Sequence, residues 1–180
     1  MRDDGAMDSD LGAVFDAHVA SEFVAQDVDA TMATMTNDPY VNHVPTMMGG
    51  VGREQVAGFY RRHFIGQWPA DTTITPVSRT QDGERVVDEM VIRFTHDVVM
   101  DAILPGVQPT GRQVAIPAVV VMGFDGGKVA YEHIYWDQAS VLAQIGLIDH
   151  GALPVTGAEQ TDKILDKDLP ANHLLVRKPS

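Results

Sequence analysis

Between residues 72 and 137 the chain offers four extended segments in succession with no helix between them, and this follows a first third that reads as helix. Residues 72–80 alternate in character and end at the turn Gln81-Asp82-Gly83-Glu84. Residues 85–100 form a long strand, and residues 104–111 a Pro/Gly loop. Residues 112–124 form another strand, Asp125-Gly126-Gly127 is a hairpin turn signal, and residues 128–137 are the last strand. Helices first and a run of antiparallel strands afterwards is the order of an α+β fold, with helices packed on one face of a curved sheet. A strongly bent sheet of this kind leaves a cone-like cavity beneath the helices.

The helical third divides in the same way. Val14, Phe15, His18, Val19, Glu22 and Phe23 recur near helical spacing, and Asp27-Val28-Asp29 breaks the helix before a short second piece over residues 30–35, with Asp29 as its N-cap. Residues 40–45 read as a short extended segment and residues 46–52 as a loop. Residues 53–64 are a third helix with Val56, Phe59, Tyr60 and Phe64 on one side, and residues 139–148 a short closing helix. The expected organisation is a disordered tail over residues 1–10, one domain over 11–150 and a loosely structured extension over 151–180.

Composition narrows the function classes. With 180 residues, 44% of them hydrophobic, the chain can bury one sizeable core. It has no run of about 18 apolar residues, so no membrane span is expected, and the acidic start is unlike a secretory signal, which makes the cytoplasm the expected compartment. Thirteen Lys and Arg against 25 Asp and Glu give a net charge of -12, which argues against nucleic acid as a partner. There is no cysteine, hence no disulfide, thiolate site or Cys nucleophile. No Walker loop, Rossmann glycine pattern, nucleophile elbow or H-E-x-x-H motif is present. His43, His96 and His133 stand at no local metal-ligand spacing from one another, so neither a metal nor another cofactor is expected.

Candidate chemistry comes from polar residues on apolar faces. In the last strand Tyr131, His133, Tyr135 and Asp137 share one face, which places an imidazole beside a carboxylate and assigns Trp136, on the other face, to packing or an interface. In the long strand the even positions are apolar, so Asp88 and His96 intrude on a core-facing surface, and a bulge would exchange Asp88 for Glu89. His43 precedes Val44-Pro45 at the edge of the helical region. A carboxylate beside an imidazole holds one tautomer and tunes it toward neutral pH. The expected catalytic group is therefore Asp137, His133, His96 and His43. Asp88, Glu89, Tyr131, Tyr135, Met90 and Phe59 are the expected substrate contacts.

The chain also resembles a known family. Asp137 followed by Val141-Leu142-Ala143-Gln144-Ile145-Gly146 is similar to the D-x-x-x-L-L-x-Q-L-G ending of SnoaL-like polyketide cyclases, members of the nuclear transport factor two-like superfamily. Asn42-His43-Val44-Pro45, Gly52-Arg53-Glu54, Phe59-Tyr60-Arg61-Arg62-His63-Phe64 and Pro109-Thr110-Gly111-Arg112-Gln113-Val114 also resemble that family. The resemblance implies a cone-shaped domain, a deep apolar pocket and a homodimer built on the sheet face. It implies an Asp on the last strand as general acid–base, matching Asp137, and a His matching His43. The family usually has Trp four residues before that Asp, where this chain has His133. The expected function is a cofactor-free cyclase, isomerase or hydrolase acting on a small, mainly apolar carbonyl compound or lactone. The alternatives are a non-catalytic binding protein for a hydrophobic small molecule and an accessory dimer.

Overall fold

The computed structural model describes residues 10–149 and 151–176. The expected N-terminal tail lies outside the described residues except for Asp10, whose carboxylate caps α1 (Leu11–Ala20) by accepting from the Ala13 amide. α1 runs on into a π-helical turn, Ser21–Ala25, and the chain then reverses through Gln26 into α2 (Val28–Ala33). The cap of α2 is Asp27 rather than the expected Asp29; its side chain accepts from the amides of Asp29 at 2.9 Å and Ala30 at 3.0 Å. Both aspartates suit a cap chemically, and the chain reversal selects the earlier one.

Two strands appear where the sequence reads as helix end, short extension and loop. β1 (Met35–His43) begins directly after α2, and β2 (Met48–Val51) pairs back on it. α3 (Gly52–Phe59) follows and also ends in a π-helical turn, Tyr60–Phe64. β3 (Thr73–Gln81), β4 (Arg85–Thr95), β5 (Gln113–Asp125) and β6 (Lys128–Trp136) come next, then α4 (Gln138–Gln144). The expected extension carries α5 (Glu159–Leu165) and α6 (His173–Val176). α5 packs on β5 and is fastened by an Arg93–Asp162 ion pair of 3.1 Å and by Ser140 Oγ donating to the Gly157 carbonyl at 3.1 Å.

The result is an α+β fold with a single curved, unclosed sheet in the order β2-β1-β6-β5-β4-β3. The sheet is mixed and not wholly antiparallel, because β1 runs parallel to β6. That pairing is beyond what strand order along the sequence reveals. It joins the end of the helical region to the last strand and brings His43 opposite Ile134.

One row of register partners crosses five strands: His43, Ile134, Val120, Asp88 and Arg79. Since side chains alternate faces along each strand, all five point to the same side. That side is the concave one, under α1 and α3. Strands stand about 4.8 Å apart, so His43 and Asp88, three spacings away from each other in the row, sit at opposite ends of a floor about 14 Å wide. On the opposite face, Tyr131 lies over Gly123, where a Cβ would come within 2.0 Å of the ring. The glycine is what lets the ring lie flat on the sheet.

Candidate functional site

Above this row lies a partly open cavity of about 190 Å³. Its floor is the row itself, and Phe15, Phe23, Phe64, Trp68 and Trp136 form most of its walls. Phe23 and Trp68 each meet Phe64 edge to face, with ring centres 5.8 and 5.7 Å away, and tilt against each other at 4.9 Å. Phe23 and Phe64 both come from the π-helical turns, where the helix widens and re-aims its side chains. Trp136 is pinned by its indole N–H, which donates to Gln138 Oε1 at 2.6 Å, and Gln138 in turn donates to the Ile103 carbonyl at 2.9 Å.

His43 lines this cavity. It is buried against Phe59, Phe64 and Trp136. Its Nδ1–H donates to the Met48 carbonyl at 3.3 Å, which leaves the Nε2 lone pair for a molecule in the cavity. Burial disfavours the imidazolium and pushes its pKa down to about 4, against a smaller upward pull from the Glu132 carboxylate. At neutral pH the ring is therefore an uncharged base.

The other end of the floor carries charge. Arg79 grips Asp88 through Nε at 2.9 Å and Nη2 at 3.0 Å, reaches Asp16 on α1 at 2.8 Å, and lies over the Phe15 ring at 4.6 Å. Hydrogen bonds donated to both carboxylates hold the guanidinium proton more tightly than usual. Asp88, Arg79 and Asp16 become progressively more exposed, in that order, which marks this as the end facing solvent.

A second polar group is buried behind the aromatic wall. His18 Nε2 lies 2.9 Å from Glu132 Oε1 and 3.2 Å from Glu22 Oε1, and the Tyr60 hydroxyl donates to Glu132 Oε1 at 3.0 Å. Burial opposes charge on His18, but the combined attraction of Glu132 and Glu22 outweighs it and holds the pKa at about 10. Burial is also the largest influence on the two carboxylates, and it raises both. At Glu22 it prevails; at Glu132 the His18 charge and the Tyr60 hydrogen bond overcome it and the pKa falls.

The structure brings together only some of the residues expected from sequence. His43, Asp88 and Met90 line the cavity, and Phe59 packs on His43. Glu89 points to the other face and accepts from Ser78 at 2.9 Å. His96 is buried beneath the loop after β4, where its Nδ1 meets the Thr110 hydroxyl at 3.2 Å. Tyr131 and His133 stack on the outer face of the sheet with Tyr40, and Tyr135 is exposed. Asp137 caps α4 by accepting from the Ser140 amide at 3.1 Å and is not among the residues lining the cavity. The inward face of β6 is the one carrying Glu132, Ile134 and Trp136, so Trp136 is a cavity wall rather than an outer packing residue.

Sequence reasoning missed His18, Glu22, Glu132, Tyr60, Trp68, Trp136 and Arg79. A signal existed for the first two, which stand four residues apart on one helical face. Glu132 had none, because both faces of β6 mix polar and aromatic residues and alternation cannot choose between them.

Comparison with known proteins places this geometry in context. A family model described as a SnoaL-like domain matches residues 15–132. No curated protein matches the sequence significantly. Among solved structures, an NTF2-like protein of unknown function from Burkholderia pseudomallei is similar, with 21% identity and a TM-score of 0.57, covering 76% of this chain and 97% of its own. IdmH, a candidate polyketide cyclase from Streptomyces antibioticus, has 22% identity and a TM-score of 0.57, covering 76% of this chain and 99% of its own. A candidate SnoaL-like polyketide cyclase from Jannaschia sp. has 19% identity and a TM-score of 0.57, covering 77% and 94%. At these identities the likeness is one of fold.

Proposed function

The chain belongs to the SnoaL-like domain family, and from that premise we propose that it is a cofactor-free acid–base enzyme acting on a small, mainly apolar carbonyl compound. The observation that carries this reading is His43, an uncharged, tautomerically fixed base whose Nε2 lone pair is left to an apolar, aromatic-walled cavity. An apolar cavity of ~150 Å³ accommodates benzene, so about 190 Å³ suits a molecule of one or two small rings. In this reading Nε2 takes a proton from carbon next to the substrate carbonyl and later returns it. Ring closure by aldol addition and double-bond isomerisation both begin with that step. Arg79 brings the only positively charged side chain to the lining and orients the opposite end of the substrate. Asp137, His133 and His96 keep no part in the reaction as proposed.

The test is exchange of the α-hydrogens of 1-tetralone for deuterium, followed by proton NMR. The wild-type chain should catalyse exchange, and His43→Phe, which keeps a ring in place, should lose about 10²–10⁴ of the rate. Exchange as fast in His43→Phe as in the wild type would remove His43 from the mechanism.

Binding without turnover is the second reading, favoured by Asp88. Its carboxylate is engaged by Arg79 and supplies no free second acid or base at the cavity. Trp68 and Trp136 are the only tryptophans in the chain and both line the cavity, so ligand entry should quench intrinsic fluorescence. Quenching by 1-tetralone with no exchange would select this reading.

A homodimer joined through the outer sheet face belongs to the same proposal. The aromatic group of Tyr40, Tyr131, His133 and Tyr135 on that face supports it, and light scattering of Tyr131→Lys against the wild type tests it. No helix among the described residues is long and apolar enough to cross a membrane. Action in the cytoplasm is likewise part of the proposal.

A further inference from the structure

Two carboxylates and one imidazole share a buried site, and among the described residues no basic side chain other than His18 is bonded to them. Even with His18 as imidazolium the group carries one negative charge too many if both carboxylates are ionised. A protein interior does not hold an uncompensated charge; it takes up a proton or a cation.

The donor geometry admits a cation. Thr34 Oγ donates its hydrogen to the Thr31 carbonyl at 2.7 Å, so it can only accept from His18 Nδ1, 2.5 Å away. The tautomer is thereby fixed from outside the cluster, and Nε2 is aimed between Glu22 and Glu132. A histidine held at Nδ1 with Nε2 directed at two carboxylates is the arrangement that supports metal ligation. Ligands about 2.1 Å from a cation, at tetrahedral or octahedral angles, stand about 3.0 to 3.4 Å from one another. The Nε2–Oε1 separation of 3.2 Å lies in that range and the one of 2.9 Å just below it, so a cation fits with little movement. One ligand atom from each of His18, Glu22 and Glu132 lies within 4.8 Å of the other two. Tyr60 Oη, 3.3 Å from Nε2, stands close enough to join the shell.

We propose that His18, Glu22 and Glu132 form a structural site for a divalent first-row cation of the zinc or manganese class, tying the first helix to β6. One imidazole and two carboxylates suit that class better than calcium or magnesium, which prefer oxygen alone. A dication with two carboxylates and a neutral imidazole is charge-balanced, and the Nε2 proton leaves to solvent. The site is separate from the His43 cavity, and its existence does not depend on the reaction proposed there.

The experiment uses the full chain, stripped with chelator and refolded with ZnSO₄ or MnCl₂, then dialysed. Roughly one cation per chain should be retained by mass spectrometry of the metal, and the melting temperature should rise with free Zn²⁺ or Mn²⁺. Glu22→Gln should lose the bound cation and the rise. His63→Ala, which removes an exposed His–Asp pair on α3's π-helical turn, should keep both. Retention that is indifferent to Glu22→Gln, or no retention by the wild type with either cation, overturns the site. Should Glu22→Gln fail to fold, zinc X-ray absorption on the wild type replaces it. One imidazole nitrogen with oxygens at about 2.0–2.2 Å is expected, and a shell of several imidazoles overturns the site.

Discussion

His18 and His43 are both buried, yet without a cation one is held charged and the other neutral. His18 faces two carboxylates and its pKa stands at about 10; His43 faces aromatic rings and a carbonyl, and its pKa stands at about 4. Burial pushes both rings down, and only the carboxylates reverse it. The contrast teaches that depth in the core does not fix the role of a histidine. Its partners do: carboxylates make it a fastening, and an apolar cavity with one committed nitrogen makes it a base.

The comparison can be broken most severely at Glu132. Glu132→Ala removes the closest acidic partner of His18 and the acceptor of the Tyr60 hydroxyl, and should cost about 3–5 kcal/mol in chemical denaturation, because it leaves buried charge unmatched. A loss under about 1 kcal/mol would mean the cluster holds nothing together.

The neutral member of the pair is read through pH. The unfolded chain takes a proton on His43 near pH 6.5, while the folded chain resists until about pH 4. More protons are then bound in the unfolded state across that window, so stability falls as pH drops from about 6.5 to 4 and the His43 contribution is flat below it. The loss is about 3 kcal/mol, and His43→Phe should remove that part of the slope. An unchanged slope in the variant would show that His43 titrates normally.

A smaller effect belongs to the cavity mouth. Arg79→Met leaves Asp88 without its bidentate partner at a partly solvated edge, and should destabilise by about 1–2 kcal/mol while speeding ligand entry measured by stopped-flow tryptophan quenching. The smallest change is expected at Asp137→Ala, where loss of the α4 cap costs about 1 kcal/mol and exchange of 1-tetralone stays as in the wild type. A selective loss of exchange there would return Asp137 to the chemistry.

Much of the architecture was legible in the residues. The alternation of Val86, Asp88 and Met90 marked the concave face of β4, and Asp88 does line the cavity. The turns at Asp82-Gly83 and Asp125-Gly126-Gly127 separated strands that do form hairpins. The site was less legible. Tyr131, His133 and Tyr135 look as suited to a core as Glu132, Ile134 and Trp136, and only the pairing with β1 decides which set turns inward. Residues 151–176 have no strong periodicity, and α5 is held by contacts with β5 that a local pattern does not encode.

By itself the sequence determined the α+β class, the order of the first helices and of β3 to β6, the apolar face of β4 and the absence of any cysteine chemistry. Those properties are local: periodicity, turn residues and composition act within a few residues of one another. Tertiary structure decided that β1 lies parallel beside β6, that His43 shares a row with Asp88 and Arg79, and that His18 meets Glu132. Those meetings join residues 36 to 114 positions apart, and nothing in the local pattern of either partner specifies the other.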